Sequence, residues 1–257
     1  MYVGTKVQLD PGDLDDAPGA VTRSLEASLR RLGMDHVDLL QLHNRLGTRI
    51  GFGPRDGLLA VSDVIDRVVP ALERLREQGK TRFSGITALG DTEALHRVIE
   101  SNGLHTAQVC YNVLNPSAGV AVPPGFPAQD FRRLLSHASA YGVGVIVIRA
   151  LAAGALSGAA TRHPIAVPSV EPIASGPDYA ADLHHAQSLR ALVEEGHAGS
   201  LVEAALRFAV GHQAVSTVLL GYSSLAHLED AATAVAKGSL PPSALDRLTV
   251  LWRDMRE

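Results

Sequence analysis

Six short runs of β-branched and apolar residues recur along the chain, each bounded by glycine or polar residues. Several runs lack a clean alternation of apolar and polar positions, which is typical of parallel strands that are covered on both faces. The pattern predicts strands over Tyr2–Val7, Val37–Leu42, Arg82–Thr87, Thr106–Tyr111, Val143–Arg149 and Ser216–Leu220. The first of them is interpreted as a buried strand with a lysine, Lys6, in its middle.

Amphipathic segments with apolar residues at helical spacing lie between these runs. The clearest has Val21, Leu25 and Leu29 on one face, and Gly33 follows it as a C-terminal stop. The same reasoning predicts helices over Asp16–Leu32, Ser62–Gln78, Asp91–Glu100, Pro127–Tyr141, Ser200–Val210 and Leu225–Ala236. Alternating strands and helices indicate a parallel sheet built from βαβ units.

Two parallel architectures compete for this pattern. A doubly wound dinucleotide fold lacks support, because no Gly-x-Gly-x-x-Gly follows the first strand. A (β/α)8 TIM barrel of one domain suits the 257 residues, but it needs eight strands. The sequence therefore predicts a single, apparently incomplete barrel domain over residues 1–257, with about six of eight strands. The long loops Asn44–Val61 and Ser157–Ala181 are expected at its C-terminal face.

Composition narrows the class of protein. Hydrophobic residues make up 46% and charged residues 19%, with a net charge of −4. Without a basic field, nucleic acid and anionic membranes are not expected as partners. One cysteine, Cys110, excludes an internal disulfide. No secretory signal pattern or long apolar run is found, and the sequence predicts a cytoplasmic protein.

Chemically useful side chains cluster where the predicted strands end. In a parallel sheet these ends meet on one face, so we expect the groups to converge. Taken singly, His43 is also explained as a buried core residue and Lys6 as an exposed residue at a sheet edge. The candidates are Lys6, His43, Asn44, Thr87, Gln108, Tyr111, Asn112, Arg149 and Gly221 to Ser224.

Two further patterns were weighed for ligand binding. None of the eleven histidines has the His-x3-His or His-Glu-x-x-His spacing, and no metal is predicted. The turn Gly221-Tyr222-Ser223-Ser224 before the last predicted helix offers free N–H groups and hydroxyls to a phosphate. Taken by itself, Ser224 is better explained as an N-cap of that helix.

In order along the chain, these segments resemble the aldo-keto reductase family over nearly the whole length. The Leu-Glu-x-Ser-Leu and Asp-Leu-Leu-x-Leu-His block is the most specific part. The matching segments are Gly4-Thr5-Lys6-Val7, Ser24-Leu25-Glu26 through His43, Ala71-Leu72-Glu73 through Thr87, Gln108-x-x-Tyr111-Asn112, Gly144-Val145 through Gly154, and Gly221-Tyr222-Ser223-Ser224.

The resemblance implies hydride transfer between a nicotinamide cofactor and a small carbonyl or alcohol substrate, with NADP(H) as the cofactor and NAD(H) as the alternative. By position, Lys6 matches the catalytic lysine and His43 the histidine that orients the carbonyl oxygen. Gln108 matches a residue that binds the nicotinamide carboxamide. The implied cofactor-binding positions are Thr87, Gln108, Arg149, Leu151, Gly221, Ser223, Ser224 and His227.

The sequence departs from the family's pattern at several positions. The family's aspartate and proton-donating tyrosine lie on and after its second strand, whereas this sequence resembles the family from the third strand onward. Thr87-Ala88 replaces a Ser-Asn pair, Ile148 replaces an aromatic residue, and His227 replaces an arginine that meets the 2′-phosphate.

Three interpretations follow from the missing tyrosine. The chain is a truncated enzyme, weakly active or inactive as given, or it is a non-catalytic pseudoenzyme that binds nucleotides or partners. In the third, another acid such as His43 stands in for the tyrosine. A homo-oligomer is expected if the open side of the barrel is covered.

Overall fold

The computed structural model describes residues 1–48, 58–159 and 161–255. Within them the chain forms two compact units, which are described separately. The first is Met1–Val109 with His137–Val145, and the second is Cys110–Ser136 with Ile146–Glu257. Residues 49–57 and residue 160, which belong to the two predicted long loops, lie outside the described residues. The single-domain organisation stays a prediction.

Strands are observed close to all six predicted positions. The strands are β1 (Gly4–Val7), β2 (Val37–Leu42), β3 (Arg45–Gly47), β4 (Leu58–Ala60), β5 (Thr81–Thr87), β6 (Thr106–Cys110), β7 (Gly144–Ile148) and β8 (Val215–Val218). The sheet order is β1-β2-β5-β6-β7-β8. In the first unit, β1 with β2, β2 with β5, and β5 with β6 pair in parallel. A separate parallel pair, β3 with β4, was not predicted.

Helices alternate with these strands. Short 3-10 segments cover Pro11–Asp16 and Ala152–Ser157, and a π turn at Val64–Val68 joins the second and third helices. The helices are α1 (Ala17–Leu32), α2 (Val61–Asp63), α3 (Val69–Glu77), α4 (Thr92–Glu100), α5 (Leu134–Ala140), α6 (Tyr179–Ser188), α7 (Ala191–Glu194), α8 (Leu201–Val210), α9 (Leu225–Ala236) and α10 (Pro242–Asp254). No described helix is long and apolar enough to cross a bilayer.

Helix α1 shows how local sequence sets its ends. The Asp16 carboxylate accepts a hydrogen bond from the Gly19 N–H at the start. Gly33 ends the helix with φ +63° and donates to the Arg30 carbonyl, a conformation that costs glycine little. Apolar side chains such as Leu25 are fully buried. Helix α1 therefore starts and stops where the capping residues require.

Successive side chains of β2 point to opposite sides of the sheet. Leu40 and Leu42 lie on one side and are fully buried. Gln41, which is buried as well, and His43, one residue past the strand, lie on the other side. The side of β2 that ends in His43 is the one that carries candidate chemistry.

The second unit is organised around Tyr111, which is 2% exposed. Its ring packs on Phe208 of α8, with the centroids 4.7 Å apart. Trp252 of α10 packs on the same phenylalanine, and its indole N–H donates to the Val113 carbonyl at 2.8 Å. Tyr111, a strand-end candidate in the sequence, is thus a core residue.

Two sequence-based assignments differ from the structure. The predicted strand Tyr2–Val7 was expected to be buried, but Lys6 is exposed and Tyr2 is 82% exposed, as for an edge strand. The predicted helix Pro127–Tyr141 is helical only over α5. Arg132 and Arg133 have φ of 50° and 59°, because other hydrogen bonds replace helical ones at this turn.

Candidate active site

In the first unit, the ends of β2, β5 and β6 bring three polar side chains together. Thr87 pairs with Gln108 across β5 and β6. His43 follows Leu42, which pairs with Ile86, so it lies beside Thr87 by register. The His43 N–H donates to the Val7 carbonyl at 2.8 Å, which fixes the backbone at this point.

A chain of hydrogen bonds joins these three side chains. His43 Nδ1 lies 2.9 Å from Thr87 Oγ1, and the Thr87 hydroxyl donates to Gln108 Oε1 at 3.2 Å. Thr87 and Gln108 are buried and His43 is half-buried. The histidine ring is therefore held from its Nδ1 side by a buried polar pair, a preorganised arrangement.

The electrostatics of this cluster favour a neutral histidine. Burial, and then the positive charge of Lys6, lower the pKa of His43 below its usual value near 6.5. Lys6 itself makes no hydrogen bond or ion pair with another described side chain, which leaves its ammonium group available. Burial and the positive charge of Lys6 both favour the uncharged form of the imidazole.

Two polar residues of β2 and its end have roles that the sequence analysis missed. Asn44, predicted as a candidate for chemistry, accepts from the Leu9 N–H at 2.9 Å and donates to the Leu9 carbonyl at 2.8 Å. It clamps the segment after β1. Gln41 donates to Thr106 Oγ1 at 2.6 Å, and its buried Oε1 has no hydrogen-bond partner among the described residues. The available signal was a glutamine in the mainly apolar segment Val37–Leu42.

In the second unit, Arg149 ends β7 in a left-handed conformation with φ 59°, which is uncommon outside glycine. Its carbonyl accepts from the Asn112 side chain at 2.8 Å, and its guanidinium makes one long bond of 3.4 Å to the Glu171 carbonyl. No carboxylate of the described residues forms an ion pair with it. Leu151 follows in the tight turn, where it accepts from the Gly154 N–H.

The turn from Gly221 to Ser224 is exposed or partly exposed. Ser224 caps α9 by accepting from the His227 N–H at 3.3 Å, as its alternative interpretation proposed. The Ser223 N–H donates to His227 Nδ1 at 3.4 Å. Gly221, Ser223, Ser224 and His227 are thus brought together within one helix start.

Asp182 of α6 is a buried acid that the sequence analysis overlooked. Its Oδ2 accepts from the Ser175 hydroxyl at 2.7 Å, while its Oδ1 is buried without a partner among the described residues. Burial raises the pKa of this carboxyl, whereas the charges of His185 and Arg149 act in the opposite direction. The Asp182 carboxyl therefore lies close enough to Arg149 for their charges to interact.

A tyrosine or a metal ion could also serve chemistry at the two clusters. In the part of the chain that the structure describes, no tyrosine is hydrogen-bonded to His43 or Lys6. Burial raises the pKa of Tyr111, which suits a core residue and not an acid. No group of three or more His, Cys, Asp or Glu side chains among the described residues could hold a metal, and the metal-free site stays a prediction.

Comparisons with known proteins cover nearly the whole chain. The sequence pattern of the Aldo/keto reductase family matches residues 1–253. The chain is 29% identical over 240 residues to a protein named L-galactose dehydrogenase from Arabidopsis thaliana, covering 91% of this chain and 64% of that protein. The chain thus spans less than two thirds of the length of this curated relative.

Solved structures with a similar fold include the holo and apo forms of the aldo-keto reductase AKR11C1 from Bacillus halodurans. Each has a TM-score of 0.63 at 22% identity, covering 100% of this chain and 72% of the other. The predicted (β/α)8 barrel class is confirmed, and the described residues supply six of its strands. The family match from residue 1 gives no support to the prediction that an N-terminal part is missing.

Proposed function

The chain belongs to the aldo/keto reductase family, and from this premise we propose that it is a nicotinamide-dependent oxidoreductase that interconverts a small carbonyl compound and an alcohol. The observation that carries the proposal is the bonded set His43, Thr87 and Gln108 beside Lys6. Such a set holds a titratable ring in one orientation, which hydrogen-bonding catalysis of a carbonyl or hydroxyl oxygen requires. The pseudoenzyme alternative is not favoured.

In this proposal, His43 contacts the substrate oxygen and Lys6 supplies positive charge beside it. Charge at this point stabilises an oxygen that becomes more negative during the reaction. Lys6 is exposed and its ammonium group has no ion-pair partner among the described residues, so its charge is not already neutralised. His43 and Lys6 are the residues proposed as catalytic.

The donor groups of the second unit fit the phosphates of a nicotinamide nucleotide. Arg149 has a guanidinium held by only one long hydrogen bond, and guanidinium groups bind phosphate well. The first N–H groups of α9 and the hydroxyls of Ser223 and Ser224 suit an anion as well. When bound, the nicotinamide supplies hydride transfer. Gln108 is proposed for its carboxamide, and Leu151, Gly221 and His227 for its other contacts.

The cofactor and the substrate are proposed as chemical classes. NADP(H) is proposed with NAD(H) as the alternative, because His227 stands where an arginine is expected by resemblance. The name of the Arabidopsis relative makes L-galactose a reasonable alcohol to test. A cytoplasmic location, the absence of nucleic-acid or membrane partners, and a homo-oligomer stay predictions.

The test is an assay of the purified 257-residue chain in both directions. Oxidation of NADPH and NADH is followed with 4-nitrobenzaldehyde, and reduction of NADP+ and NAD+ with L-galactose. We expect turnover with at least one pair of cofactor and substrate. We also expect the fluorescence of NADPH to change when it binds. Absence of both turnover and cofactor binding would overturn the proposed function.

A further inference from the structure

His43 has two ring nitrogens, and its chemistry depends on which one carries the hydrogen in the neutral state. Nδ1 is the nitrogen bonded to Thr87. Nε2 makes no hydrogen bond with a described residue, and the half-buried side chain leaves part of the ring open. Nε2 is therefore the nitrogen that a ligand would meet.

The single hydrogen of the Thr87 hydroxyl determines which ring nitrogen of His43 carries a hydrogen. A hydroxyl carries one hydrogen, and the carbonyl oxygen of an amide can only accept. Because Thr87 Oγ1 lies 3.2 Å from Gln108 Oε1 and donates to it, its hydrogen is committed to Gln108. The 2.9 Å contact with His43 then needs its hydrogen from Nδ1, and the lone pair of the neutral ring is left on Nε2.

We propose that Thr87 is a positioning residue that keeps neutral His43 protonated at Nδ1, so that Nε2 accepts a hydrogen bond and fits the hydroxyl of an alcohol better than a carbonyl oxygen. A hydroxyl donates a hydrogen to such a lone pair, whereas a carbonyl oxygen would face it with lone pairs of its own. As long as Nδ1 keeps its hydrogen, Nε2 can donate to a carbonyl oxygen only when the ring is protonated. Burial and Lys6 oppose that protonation by lowering the pKa of His43.

Thr87 has a different role here from the one that the resemblance implies. Resemblance assigned it to the nicotinamide carboxamide, but its single hydrogen goes to Gln108 and its oxygen accepts from His43. Both Thr87 and Gln108 are at most 5% exposed, so water competes little for these bonds. The placement of the ring hydrogen rests on this geometry alone, while the preference for an alcohol rests on the proposed function.

The decisive measurement is the long-range 1H–15N NMR spectrum of the ligand-free protein with 15N-labelled histidine, recorded near pH 7.5. A His43→Gln variant identifies the His43 signals among the eleven histidines. Expected are a protonated nitrogen at Nδ1 and an unprotonated one at Nε2. The reverse pattern in the wild-type chain would overturn the proposal. That pattern is expected if the Gln108 amide presents its NH2 group, and not its Oε1, to Thr87.

Two variants test whether Thr87 is the cause. Thr87→Ser keeps the hydroxyl and is expected to keep the Nδ1–H form, whereas Thr87→Val removes it and is expected to give a mixture of both forms. A folded Thr87→Val protein with an unchanged His43 pattern would contradict the positioning role. If the valine variant does not fold, the wild-type and serine spectra still decide where the hydrogen lies.

Kinetics separate this inference from the proposed function. In Thr87→Val, the ratio of KM for 4-nitrobenzyl alcohol to KM for 4-nitrobenzaldehyde is expected to rise about fivefold. The reason is that one neutral hydrogen bond between Nε2 of His43 and the alcohol is exchanged for one with the aldehyde. An unchanged ratio would overturn the stated preference for alcohols. A wild-type chain with neither turnover nor cofactor binding would contradict the proposed function, and the NMR result would still decide where the ring hydrogen lies.

Discussion

The two candidate clusters hold their side chains in opposite ways. His43, Thr87 and Gln108 are separated by 44 and 21 residues in the chain and meet through buried or partly buried bonds. Ser223, Ser224 and His227 are neighbours in sequence, and their bonds span three or four residues at the exposed start of α9. The first cluster needs the sheet to exist, whereas the second needs only one turn of helix.

Because of this difference, we expect the buried cluster to take part in the reaction and the exposed turn to bind a ligand. Long-range buried bonds fix a ring with little freedom, which is what a catalytic contact requires. A local, exposed turn still offers the Ser223 hydroxyl and the first N–H groups of α9 to an anion, and its loss disturbs little else. Substitutions in the strand-end cluster should therefore alter turnover and stability together, while those at the turn should alter affinity.

The largest effect is expected for His43→Ala, which removes the proposed contact with the substrate oxygen. We expect kcat to fall by about 10²-fold or more, because positioned acid–base groups contribute about 10²–10⁴-fold. Steady-state kinetics in both directions measure it. The matched control is His36→Ala, at an exposed histidine outside the cluster; equal losses in the two variants would contradict the assignment of His43.

Arg149→Ala should affect the cofactor more than the chemistry. A guanidinium bound to phosphate makes charge-assisted hydrogen bonds, so the Kd for NADPH is expected to rise about tenfold or more. Fluorescence titration with NADPH gives the Kd directly. Arg190→Ala serves as the control, because Arg190 is exposed and lies in the same unit. An unchanged Kd for Arg149→Ala would remove this residue from the proposed binding set.

The strand β2 was predicted at its observed bounds, Val37–Leu42, because a short segment with four apolar residues of six is a signal that needs no information beyond its own residues. The helix predicted over Pro127–Tyr141 fails at its first turns for a tertiary reason. The Phe131 N–H donates to the Ser117 hydroxyl, and the Asp130 carboxylate accepts from the Arg132 N–H. Distant and local side chains satisfy the backbone there, and helical periodicity cannot reveal that.

For the candidate site, resemblance identified His43, Thr87 and Gln108 one by one, and strand ends explained why they would be near each other. The sequence could not show the direction of the bonds between them, which depends on which atoms lie within reach. It also placed Asn44 among the reactive candidates, although its amide is used by both backbone groups of Leu9. An amide that bonds to both the N–H and the carbonyl of one residue holds the backbone in place and has a structural role.

Thr87→Val tests whether the strand-end cluster stabilises the fold. Valine keeps the shape but leaves His43 Nδ1 and Gln108 Oε1 without their shared partner. Gln108 is buried whereas His43 is only half-buried, and one unsatisfied buried group costs about 1–3 kcal/mol. We expect the free energy of unfolding to fall by an amount in that range, measured by urea denaturation. Thr87→Ser, which keeps the hydroxyl, should lose less; an equal loss would show that the methyl group and not the hydroxyl matters.

The smallest effect is expected at the exposed turn, where two adjacent serines form a matched pair. Ser224→Ala removes the N-cap of α9 and should lower the free energy of unfolding by about 1 kcal/mol. Ser223→Ala removes a hydroxyl that bonds to no described residue, so stability should stay unchanged within error. The same urea experiment measures both variants. A loss for Ser224→Ala as large as that for Thr87→Val would mean that the local turn is as deeply coupled to the fold as the buried cluster, and the contrast between the two regions would fail.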